Sequence, residues 1–332
     1  MKKVAWGVLG TARISREKVI PALQRSQWCD VQAVASRSLE RAQAFAAPLG
    51  IPRCYGSYAE LFADPAIEVV YNPLPNHEHV PLTLQAARAG KHVLCEKPIA
   101  LTADEAAALR EVADRVTVME AFMVRFHPQW LRARELVCSG DLGPVRSLQA
   151  WFSYYNVDAT NIRNRADIGG GALYDIGCYP IAVARFLFEA EPLRVVSLVD
   201  RDARFGTDRC VSALLDFGGG RRMDFTVSTQ SVPYQRVQIL GETTRVEVQI
   251  PFNPTPTQPT TLFLDKGPPL DGSAITRESF DPCDQYTLQG DAFSRAVRQG
   301  RAPDWGVEDA IANMRVIDAV FASERTGAWV AV

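Results

Sequence analysis

The chain has 332 residues, of which 47% are hydrophobic and 22% charged, and this composition excludes global disorder or a fibrous repeat. Its length is about twice that of a typical domain, so we expect two domains. The 36 Lys and Arg side chains are offset by 38 Asp and Glu, and a net charge of −2 argues against nucleic acid as a partner.

Neither export nor membrane insertion is indicated by the sequence. No apolar run approaches the roughly 20 residues that cross a bilayer. Met1-Lys2-Lys3 leads directly into the patterned segment Val4–Gly10 without a small-residue cleavage site, so we expect a cytoplasmic protein. The seven cysteines are scattered and never spaced C-x-x-C, which favours reduced, structural thiols over disulfides or zinc and leaves a nucleophilic cysteine as a minor alternative.

In the first third of the chain, short apolar runs alternate with segments of helical period, the pattern of parallel strands joined by crossover helices. Thr102, followed three residues later by Glu105, is a capping-box signature. The sequence therefore predicts an α/β domain here. Its predicted strands are Val4–Leu9, Val31–Ala35, Val69–Tyr71 and His92–Cys95, and its predicted helices are Ile14–Gln24, Ser38–Leu49, Pro81–Ala89 and Thr102–Val112.

After about Ala121, strands succeed one another with few helices between them, which predicts a largely antiparallel sheet. Four prolines in Pro251–Pro259 predict an extended loop. Helices interrupt the strands, so this second domain is α+β. The predicted strands are Val145–Phe152, Val195–Val199, Val211–Phe217, Met223–Ser228, Val237–Leu240 and Val246–Ile250, and the predicted helices are Pro128–Cys138, Tyr174–Phe188, Gln285–Gln299 and Val307–Ser323.

The segment Val4–Ser15 has the pattern of a strand, a tight turn and a helix start. Of the G-x-G-x-x-G pattern only Gly10 is present, and Ala12 and Ser15 occupy the other two places. Small residues still allow a pyrophosphate to approach the backbone at a helix N-terminus, which carries free N–H groups and partial positive charge. Because the turn follows the first strand of a βαβ unit, we interpret it as a dinucleotide site, with an ordinary glycine turn as the alternative.

The end of the second predicted strand favours NADP over NAD. An NAD site usually has an acid there for the ribose hydroxyls, whereas a 2′-phosphate needs a cation or a hydroxyl donor. This strand ends in Ser36-Arg37-Ser38, with Arg41 one turn into the next helix, and Asp30 precedes the strand at its wrong end. We therefore predict NADP, with NAD less favoured; a purely solvated role for the two arginines is the alternative.

Glu96-Lys97-Pro98 follows the predicted buried strand His92–Cys95, at the edge where open α/β sheets bind ligands. A charged lysine there can donate a hydrogen bond to an oxygen that becomes more negative during hydride transfer. The alternative is a surface lysine in a turn.

The second dense motif is Gly169–Pro180, in which three glycines precede an apolar helix. Asp175 and Tyr179 are four residues apart and so share one helical face. A tyrosine is a competent acid or base where a nearby cation lowers its pKa, and Lys97 is the candidate cation if the two domains meet here. The alternative is a capping aspartate beside a structural tyrosine.

Taken together, these motifs resemble the Gfo/Idh/MocA oxidoreductase family. Tyr179 makes the chain similar to the branch of glucose–fructose oxidoreductase, NADP-dependent xylose dehydrogenase, dimeric dihydrodiol dehydrogenase and the sugar 3-ketoreductases. The resemblance implies an NAD(P)-binding Rossmann domain over residues 1–121. It also implies an α+β domain for substrate binding and oligomerisation over residues 122–332, with a large, mostly antiparallel open sheet; the C-terminal helix of this domain is a candidate to pack back on the first. The resemblance rests on Gly10–Ile14, Ser36-Arg37, Tyr71–His79, Glu96-Lys97-Pro98, Asn161-Ile162-Arg163 and Gly169–Pro180.

The resemblance further implies that Lys97 and Tyr179 form the catalytic pair and that Asp175 orients the substrate. The expected cofactor contacts are Gly10, Thr11, Ala12, Arg13, Ile14, Ser36, Arg37, Arg41, Pro73, Leu74, Asn76, His79, Glu96, Lys97 and Arg163.

From these residues we predict an NADP(H)-dependent enzyme that transfers a hydride between nicotinamide and a carbinol or carbonyl of a sugar or similar polyol. We expect a homodimer or homotetramer without nucleic-acid or membrane partners. A non-catalytic regulator of the same fold that senses NADP or a sugar is the alternative. His77-Glu78-His79 offers too few neighbouring ligands for a metal, so none is expected.

Overall fold

A computed structural model describes residues 2–332, and the chain divides into two compact units. One unit comprises the residues up to Met123 together with Gln285–Met314, and the other comprises Val124–Asp284 with Arg315–Val332. The strands are β1 (Val4–Leu9), β2 (Cys29–Ala35), β3 (Arg53–Tyr55), β4 (Val69–Asn72), β5 (His92–Cys95), β6 (Val118–Glu120), β7 (Val145–Tyr155), β8 (Arg194–Arg201), β9 (Asp208–Asp216), β10 (Arg222–Ser228), β11 (Gln230–Gly241), β12 (Arg245–Val248), β13 (Thr260–Asp265), β14 (Ile275–Phe280) and β15 (Val330–Ala331).

Ten α-helices accompany these strands in the described part of the chain, residues 2–332. None of them is long and apolar enough to span a membrane. The helices are α1 (Ile20–Arg25), α2 (Leu39–Ala46), α3 (Tyr58–Ala63), α4 (His79–Arg88), α5 (Ala103–Ala107), α6 (Arg110–Ala113), α7 (Pro128–Cys138), α8 (Cys178–Phe188), α9 (Gln285–Gln299) and α10 (Val307–Thr326).

The first unit is built on a six-stranded sheet in the spatial order β3-β2-β1-β4-β5-β6. Every neighbouring pair is parallel. The order reverses between β1 and β4, and in such sheets ligands bind at this switch point, beyond the carboxyl ends of the strands. Ser38 and Thr102 cap their helices by accepting from the backbone N–H groups of Arg41 and Glu105, as the sequence predicts.

Helix α9 belongs to the first unit although it lies far along the chain. The ring of Phe293 is 5.5 Å from that of Trp6 in β1, and the indole N–H of Trp6 donates to Ser294 Oγ at 3.1 Å. A side chain at Gly290 would come within 2.3 Å of Leu23 Cδ2, so glycine lets α9 approach α1 closely. Residues 285–314 therefore group with the first unit, although they follow Val124–Asp284 of the second unit in the sequence.

A nine-stranded sheet forms the base of the second unit, in the order β14-β13-β12-β11-β7-β10-β9-β8-β15. All neighbouring pairs are antiparallel except β7 and β10, which are parallel. Every residue of α8 is buried. An aromatic cluster forms part of the core, with Phe252 stacked on Phe152 at 4.8 Å and on Trp130 at 6.3 Å. The prediction of an α/β domain plus an α+β domain with a large, mostly antiparallel sheet is confirmed.

Two predicted helices begin as wider turns than expected. Ser15–Val19 and Leu173–Gly177 are π-helical turns that lead into α1 and α8. Such turns are rare and frequently lie at functional sites. Asp30, placed before the second strand by sequence, is instead the second residue of β2, but it remains at the amino end of that strand.

Candidate active site

The turn after β1 requires glycine at Gly10. Its φ is +69°, and its N–H donates to the carbonyl of Ala35 at the end of β2 at 2.7 Å. A Cβ at Gly10 would lie 2.6 Å from Leu74 Cδ2 and 3.9 Å from the hydroxyl of Tyr58. The turn thus brings the backbone against the loop after β4 and against Tyr58, to which no sequence motif assigns a role. The capping pair Ser57 and Glu60 marks where α3 begins and was the available signal.

The helix that follows this turn presents an uncapped N-terminus. Ile14, the residue before the π-helical turn Ser15–Val19, is itself helical and has no capping group, and the N–H of Arg16 bonds back to the carbonyl of Ala12 at 3.2 Å. The hydroxyl of Ser15 is buried without a hydrogen-bond partner. Thr11, Ala12, Arg13 and Ile14 therefore surround a helix end that suits an anion. The Arg13 side chain, by contrast, forms a surface pair with Glu17.

Positive charge and hydroxyl groups collect at the end of β2. Ser36 is buried and its N–H donates to the carbonyl of Tyr55 at 3.1 Å, while Arg37 and Arg41 are exposed. Burial raises the pKa of Tyr58, and the charges of Arg37 and Arg41 act on the same phenol in the opposite direction. The two predicted arginines therefore lie near the phenol that faces the Gly10 turn.

His79 joins the loop after β4 to the loop after β5. Its ring is buried, with Nδ1 2.7 Å from the carbonyl oxygen of Pro98 and Nε2 2.7 Å from that of Leu74. Burial lowers the pKa of His79 to about 4, so the ring is neutral near pH 7 and donates to one of these carbonyls at a time. His79 was expected to contact the cofactor, but both ring nitrogens face backbone. Pro73 and Asn76 lie in the same loop as Leu74.

The Glu96-Lys97-Pro98 turn is held by hydrogen bonds between Glu96 and two buried residues of β4, Tyr71 and Asn72. Tyr71 in β4 donates its hydroxyl to Glu96 Oε1 at 2.7 Å, and the N–H of Glu96 donates to the carbonyl of Asn72 at 2.9 Å. Burial raises the pKa of Tyr71, so this phenol stays a donor. Lys97 is half-buried beyond the end of β5, and its positive charge contributes to lowering the pKa of His79. Lys97 is therefore at the predicted sheet edge, beside the loop of Leu74.

In the second unit, the glycines Gly169–Gly171 hold the loop Asn161–Arg165 against the start of the helix Leu173–Phe188. Gly171 N–H donates to the carbonyl of Arg163 at 2.9 Å, and Gly170 N–H donates to that of Arg165 at 2.8 Å. A Cβ on Gly170 would lie 2.6 Å from Arg163 O, and one on Gly171, at φ +124°, would lie 1.9 Å from Asp208 Oδ1. Both positions therefore require glycine because of close contacts.

Asp208 anchors the N-terminus of that helix. Its Oδ2 accepts from the N–H of Leu173 at 2.6 Å, and its carboxyl group occupies the space beside Gly171. Burial raises the pKa of Asp208 to about 6. Asp208 was not predicted as a site residue, because it lies ahead of the predicted strand Val211–Phe217 and no local pattern links it to Gly169–Gly171.

Asp175 and Tyr179 follow on this helix. Asp175 Oδ2 accepts from the hydroxyl of Tyr154 at 2.6 Å and from Nε of Arg163 at 2.7 Å. The ring of Tyr179 lies 5.5 Å from that of Phe252 and is 6% exposed. Arg163, expected at the cofactor, lies in the second unit and pairs with Asp175. Tyr154 was also missed, because it lies beyond the predicted strand Val145–Phe152, which extends to Tyr155 in the structure.

His77 and Glu78 do not gather further ligands. Their side chains are 3.5 Å apart and both are partly exposed. Across residues 2–332, no three His, Cys, Asp or Glu side chains are arranged to hold a metal ion.

A doubly wound parallel sheet, a glycine turn after its first strand and an uncapped helix end are the features of a dinucleotide-binding oxidoreductase domain. The chain belongs to the Gfo/Idh/MocA oxidoreductase family. The family model described as an oxidoreductase family with an NAD-binding Rossmann fold matches residues 4–126, and the model of the Gfo/Idh/MocA C-terminal domain matches residues 130–247. The predicted family is confirmed.

Three similar proteins show what this fold supports elsewhere. The chain is 42% identical over 330 residues to a D-xylose 1-dehydrogenase (NADP(+)) of Haloferax volcanii, covering 98% of both chains. The structure of a 3-ketoreductase from Actinomadura kijaniata with NADP and TDP-benzene matches with a TM-score of 0.90 at 30% identity, covering 97% of this chain and 98% of that one. An aldose-aldose oxidoreductase from Caulobacter crescentus complexed with glycerol matches with a TM-score of 0.91 at 28% identity, over 100% of both chains.

Proposed function

We propose that this protein is an NADP(H)-dependent oxidoreductase that interconverts a carbinol and a carbonyl on a sugar or similar polyol. The observation that carries this proposal is the helix Leu173–Phe188, on which a carboxylate held by two donors, Asp175, lies one turn before a buried phenol, Tyr179. Relatives of the chain are named as an NADP(+) xylose dehydrogenase and a 3-ketoreductase bound to NADP, which supports the same class of chemistry.

The residues of the first unit fit a dinucleotide with a 2′-phosphate. The uncapped helix end after Gly10 and the partnerless hydroxyl of Ser15 suit the pyrophosphate region, and Arg37 and Arg41 supply cations for a further phosphate. Bound NADP(H) supplies the hydride donor or acceptor at its nicotinamide ring. The proposed cofactor contacts in this unit are Gly10, Thr11, Ala12, Arg13, Ile14, Ser36, Arg37, Arg41, Pro73, Leu74, Asn76, Glu96 and Lys97.

Three side chains divide the chemistry at the substrate in this proposal. Lys97 donates a hydrogen bond to the reacting oxygen and stabilises the negative charge that develops there. Tyr179 accepts the hydroxyl proton in oxidation and returns it in reduction. Asp175 accepts a hydrogen bond from a neighbouring hydroxyl and so orients the ring. An uncharged polyol suits this site, because one carboxylate and one phenol recognise hydroxyl groups.

Turnover assays with aldoses test the proposal. Purified protein is incubated with a panel of aldoses and NADP, and with NAD in parallel, while reduced nicotinamide is followed by absorbance. We expect turnover with NADP that is lost in Tyr179→Phe, and an Arg37→Glu variant whose KM rises far more for NADP than for NAD. Binding of NADP without turnover on any polyol would indicate the regulator instead, and full activity of Tyr179→Phe would refute the proton role.

We also propose that the open face of the large sheet binds a second copy of the chain. Leu198, Ser212, Thr226, Trp151 and Arg236 are directly paired across β8, β9, β10, β7 and β11, so their side chains form one row on one face. Within that row Leu198 is 79% and Trp151 43% exposed. Large apolar side chains such as Leu198 and Trp151 on the exposed face of a sheet are typical of an isologous interface.

The oligomeric state is measured by light scattering after size exclusion. We expect a dimer or tetramer that dissociates in Leu198→Asp. The matched control is Leu270→Asp, because Leu270 is 97% exposed but lies in a loop between β13 and β14. A monomeric wild type would refute this interface.

A cytoplasmic location is proposed as well. All seven cysteines are free thiols, which suits a reducing compartment.

A further inference from the structure

The loop Asn161–Arg165 places the side chain of Arg163 against the helix Leu173–Phe188. Asn161 caps it by accepting from the N–H of Arg163 at 3.1 Å, and Gly170 and Gly171 bond to the carbonyls of Arg165 and Arg163. Because a Cβ on Gly170 would touch both of these carbonyls, the loop backbone lies directly against the glycine run. The position of Arg163 relative to the helix is therefore fixed through its own backbone.

At Asp175, Arg163 and Tyr154 bind the same carboxylate oxygen. Nε of Arg163 lies 2.7 Å and the hydroxyl of Tyr154 2.6 Å from Oδ2 of Asp175. Two donors, one of them charged, stabilise the ionised carboxylate. Asp175 consequently remains a hydrogen-bond acceptor for substrate hydroxyls and does not deliver a proton. Proton transfer is then assigned to Tyr179.

The environment of Tyr179 by itself disfavours a phenolate. Its ring is 6% exposed and packs edge-on against Phe152 at 6.0 Å and tilted against Phe252 at 5.5 Å. Burial among phenyl rings penalises the charged form of a phenol, so a phenolate there needs a nearby cation. Arg163 provides one within the same unit: its Nε lies 2.7 Å from Oδ2 of Asp175, which precedes Tyr179 by about one turn of the same helix. The pKa of Arg163 is raised first by Asp175 and further by Tyr154 and Tyr179, in agreement with a guanidinium that stabilises negative charge on Tyr179.

We propose that Arg163 is a positioning residue for the proton step, which holds Asp175 in place and supplies the positive charge that stabilises the phenolate of Tyr179, and that it is not a cofactor contact. This inference rests on the proposed function. In oxidation, the phenolate of Tyr179 takes the hydroxyl proton of the carbinol, and in reduction the phenol returns that proton to the carbonyl oxygen. Bound NADP(H) would supply the hydride acceptor or donor for the carbon. Arg163 changes neither charge nor bonding in this step.

The test removes the charge and follows the pH dependence. Arg163→Met is expected to move the acid limb of kcat/KM for polyol oxidation upward by about one pH unit or more, because the phenol loses its neighbouring cation. The KM for NADP is expected to stay unchanged. Arg163→Lys keeps a charge and should largely restore the wild-type limb, and Arg163→Gln gives the same test as the methionine variant should that variant fail to fold.

The matched control is Arg165→Gln. Arg165 lies in the same loop but pairs with Asp167 at 2.6 Å on the surface, so its loss should leave the pH profile unchanged. A raised KM for NADP with an unmoved acid limb in Arg163→Met would overturn the proposal and restore the cofactor role.

A second measurement does not need turnover. The ionisation of Tyr179 is followed by ultraviolet difference titration, with Tyr179→Phe subtracted from each background. An upward shift in Arg163→Met supports the inference even if the protein reduces no sugar, in which case the proposed function fails and the electrostatic role stands. An unchanged ionisation of Tyr179 refutes the inference while leaving the proposed function intact.

Discussion

Both units contain a glycine turn that leads into a π-helical turn, but the two helix ends differ in their hydrogen-bond partners. In each, a glycine at positive φ leads into a π-helical turn, Ser15–Val19 after Gly10 and Leu173–Gly177 after Gly171. In the first unit the residue before that turn is Ile14, whose side chain has no group that could cap it. In the second, the carboxylate of Asp208 accepts from Leu173 N–H.

This difference suits the first helix end to binding an anion and the second to holding a helix in place. An uncapped helix N-terminus keeps its partial positive charge for an external anion, whereas one occupied by an internal carboxylate has no such capacity. The first turn can therefore face a phosphate, and the second holds the helix that carries Asp175 and Tyr179 in one place. The contacts of the two glycines differ in the same way. Gly10 faces the flexible side chain of Leu74, whereas Gly171 faces the buried carboxyl group of Asp208.

The largest effect is expected from Gly171→Ala. Its new methyl group would overlap Asp208 Oδ1 at 1.9 Å and would hold φ at +124°. We expect a loss of more than about 4 kcal/mol or no folded protein. Denaturant unfolding measures this. Gly206→Ala is the control, with φ +69° and nothing within 4 Å, and should cost only about 1–2 kcal/mol; equal losses in both variants would contradict the clash.

The next effect is a coupling between Gly171 and Asp208. In an Asp208→Ala background the space beside Gly171 is vacated, so Gly171→Ala should cost only its backbone strain, about 1–3 kcal/mol. A double-mutant cycle of unfolding free energies isolates this term. Strict additivity of the two substitutions would show that the carboxyl group does not occupy that space.

Gly10→Ala should act on ligand binding more than on folding. The Cβ meets only the end of Leu74, which can move, so we expect a stability cost of about 1–2 kcal/mol from φ +69°. The displaced leucine should weaken NADP binding by about tenfold, since an ångström-scale shift at a pyrophosphate turn costs hydrogen bonds. Fluorescence titration measures this affinity. Gly50→Ala, at φ +65° in open space of the same unit, should leave the affinity unchanged.

The smallest effect concerns the pH dependence of stability, to which His127 of the second unit contributes. Burial lowers the pKa of His127 to about 4, below the ordinary 6.5, so the unfolded chain binds its proton first and stability falls as pH drops from 6.5 towards 4. His127 caps α7 by accepting from the N–H of Gln129 at 3.2 Å. His127→Asn keeps a capping acceptor without the titration and should gain about 1 kcal/mol relative to wild type between pH 8 and pH 6.

His79 in the first unit carries the same lowered pKa and is untouched in that variant. Some acid sensitivity should therefore persist in His127→Asn. A stability difference between the two proteins that does not change with pH would contradict the buried neutral form of His127.

How far the sequence predicted the molecule depends on whether a signal is local. Strands such as Val4–Leu9 and His92–Cys95 and helices such as Pro128–Cys138 match the structure end to end, because apolar runs and caps lie within the element. The extended loop Pro251–Pro259 is confirmed for the same reason. Short strands such as Arg53–Tyr55 were missed, since three residues carry no period.

A candidate-site residue could be predicted where it belongs to a contiguous motif, but not where it comes singly from another part of the sequence. Gly10 and Lys97 stand in recognisable turns of the first unit. Tyr58, Tyr154 and Asp208 each reach the site from another element, so only tertiary packing shows their role. Arg163 was singled out as a cofactor contact by resemblance, but its pairing with Asp175 depends on a loop closure that no spacing indicates.

The first unit is assembled from segments that lie far apart in the sequence, and this has a consequence for biosynthesis. Trp6 leaves the ribosome long before Phe293 and Ser294, which cover it, are made. The nucleotide-binding half should therefore remain incompletely folded, with an exposed indole, until α9 has been translated. A ribosome stalled before α9 would hold a nascent chain that chaperones recognise, while the large sheet of the other half is already complete except for its edge strand β15.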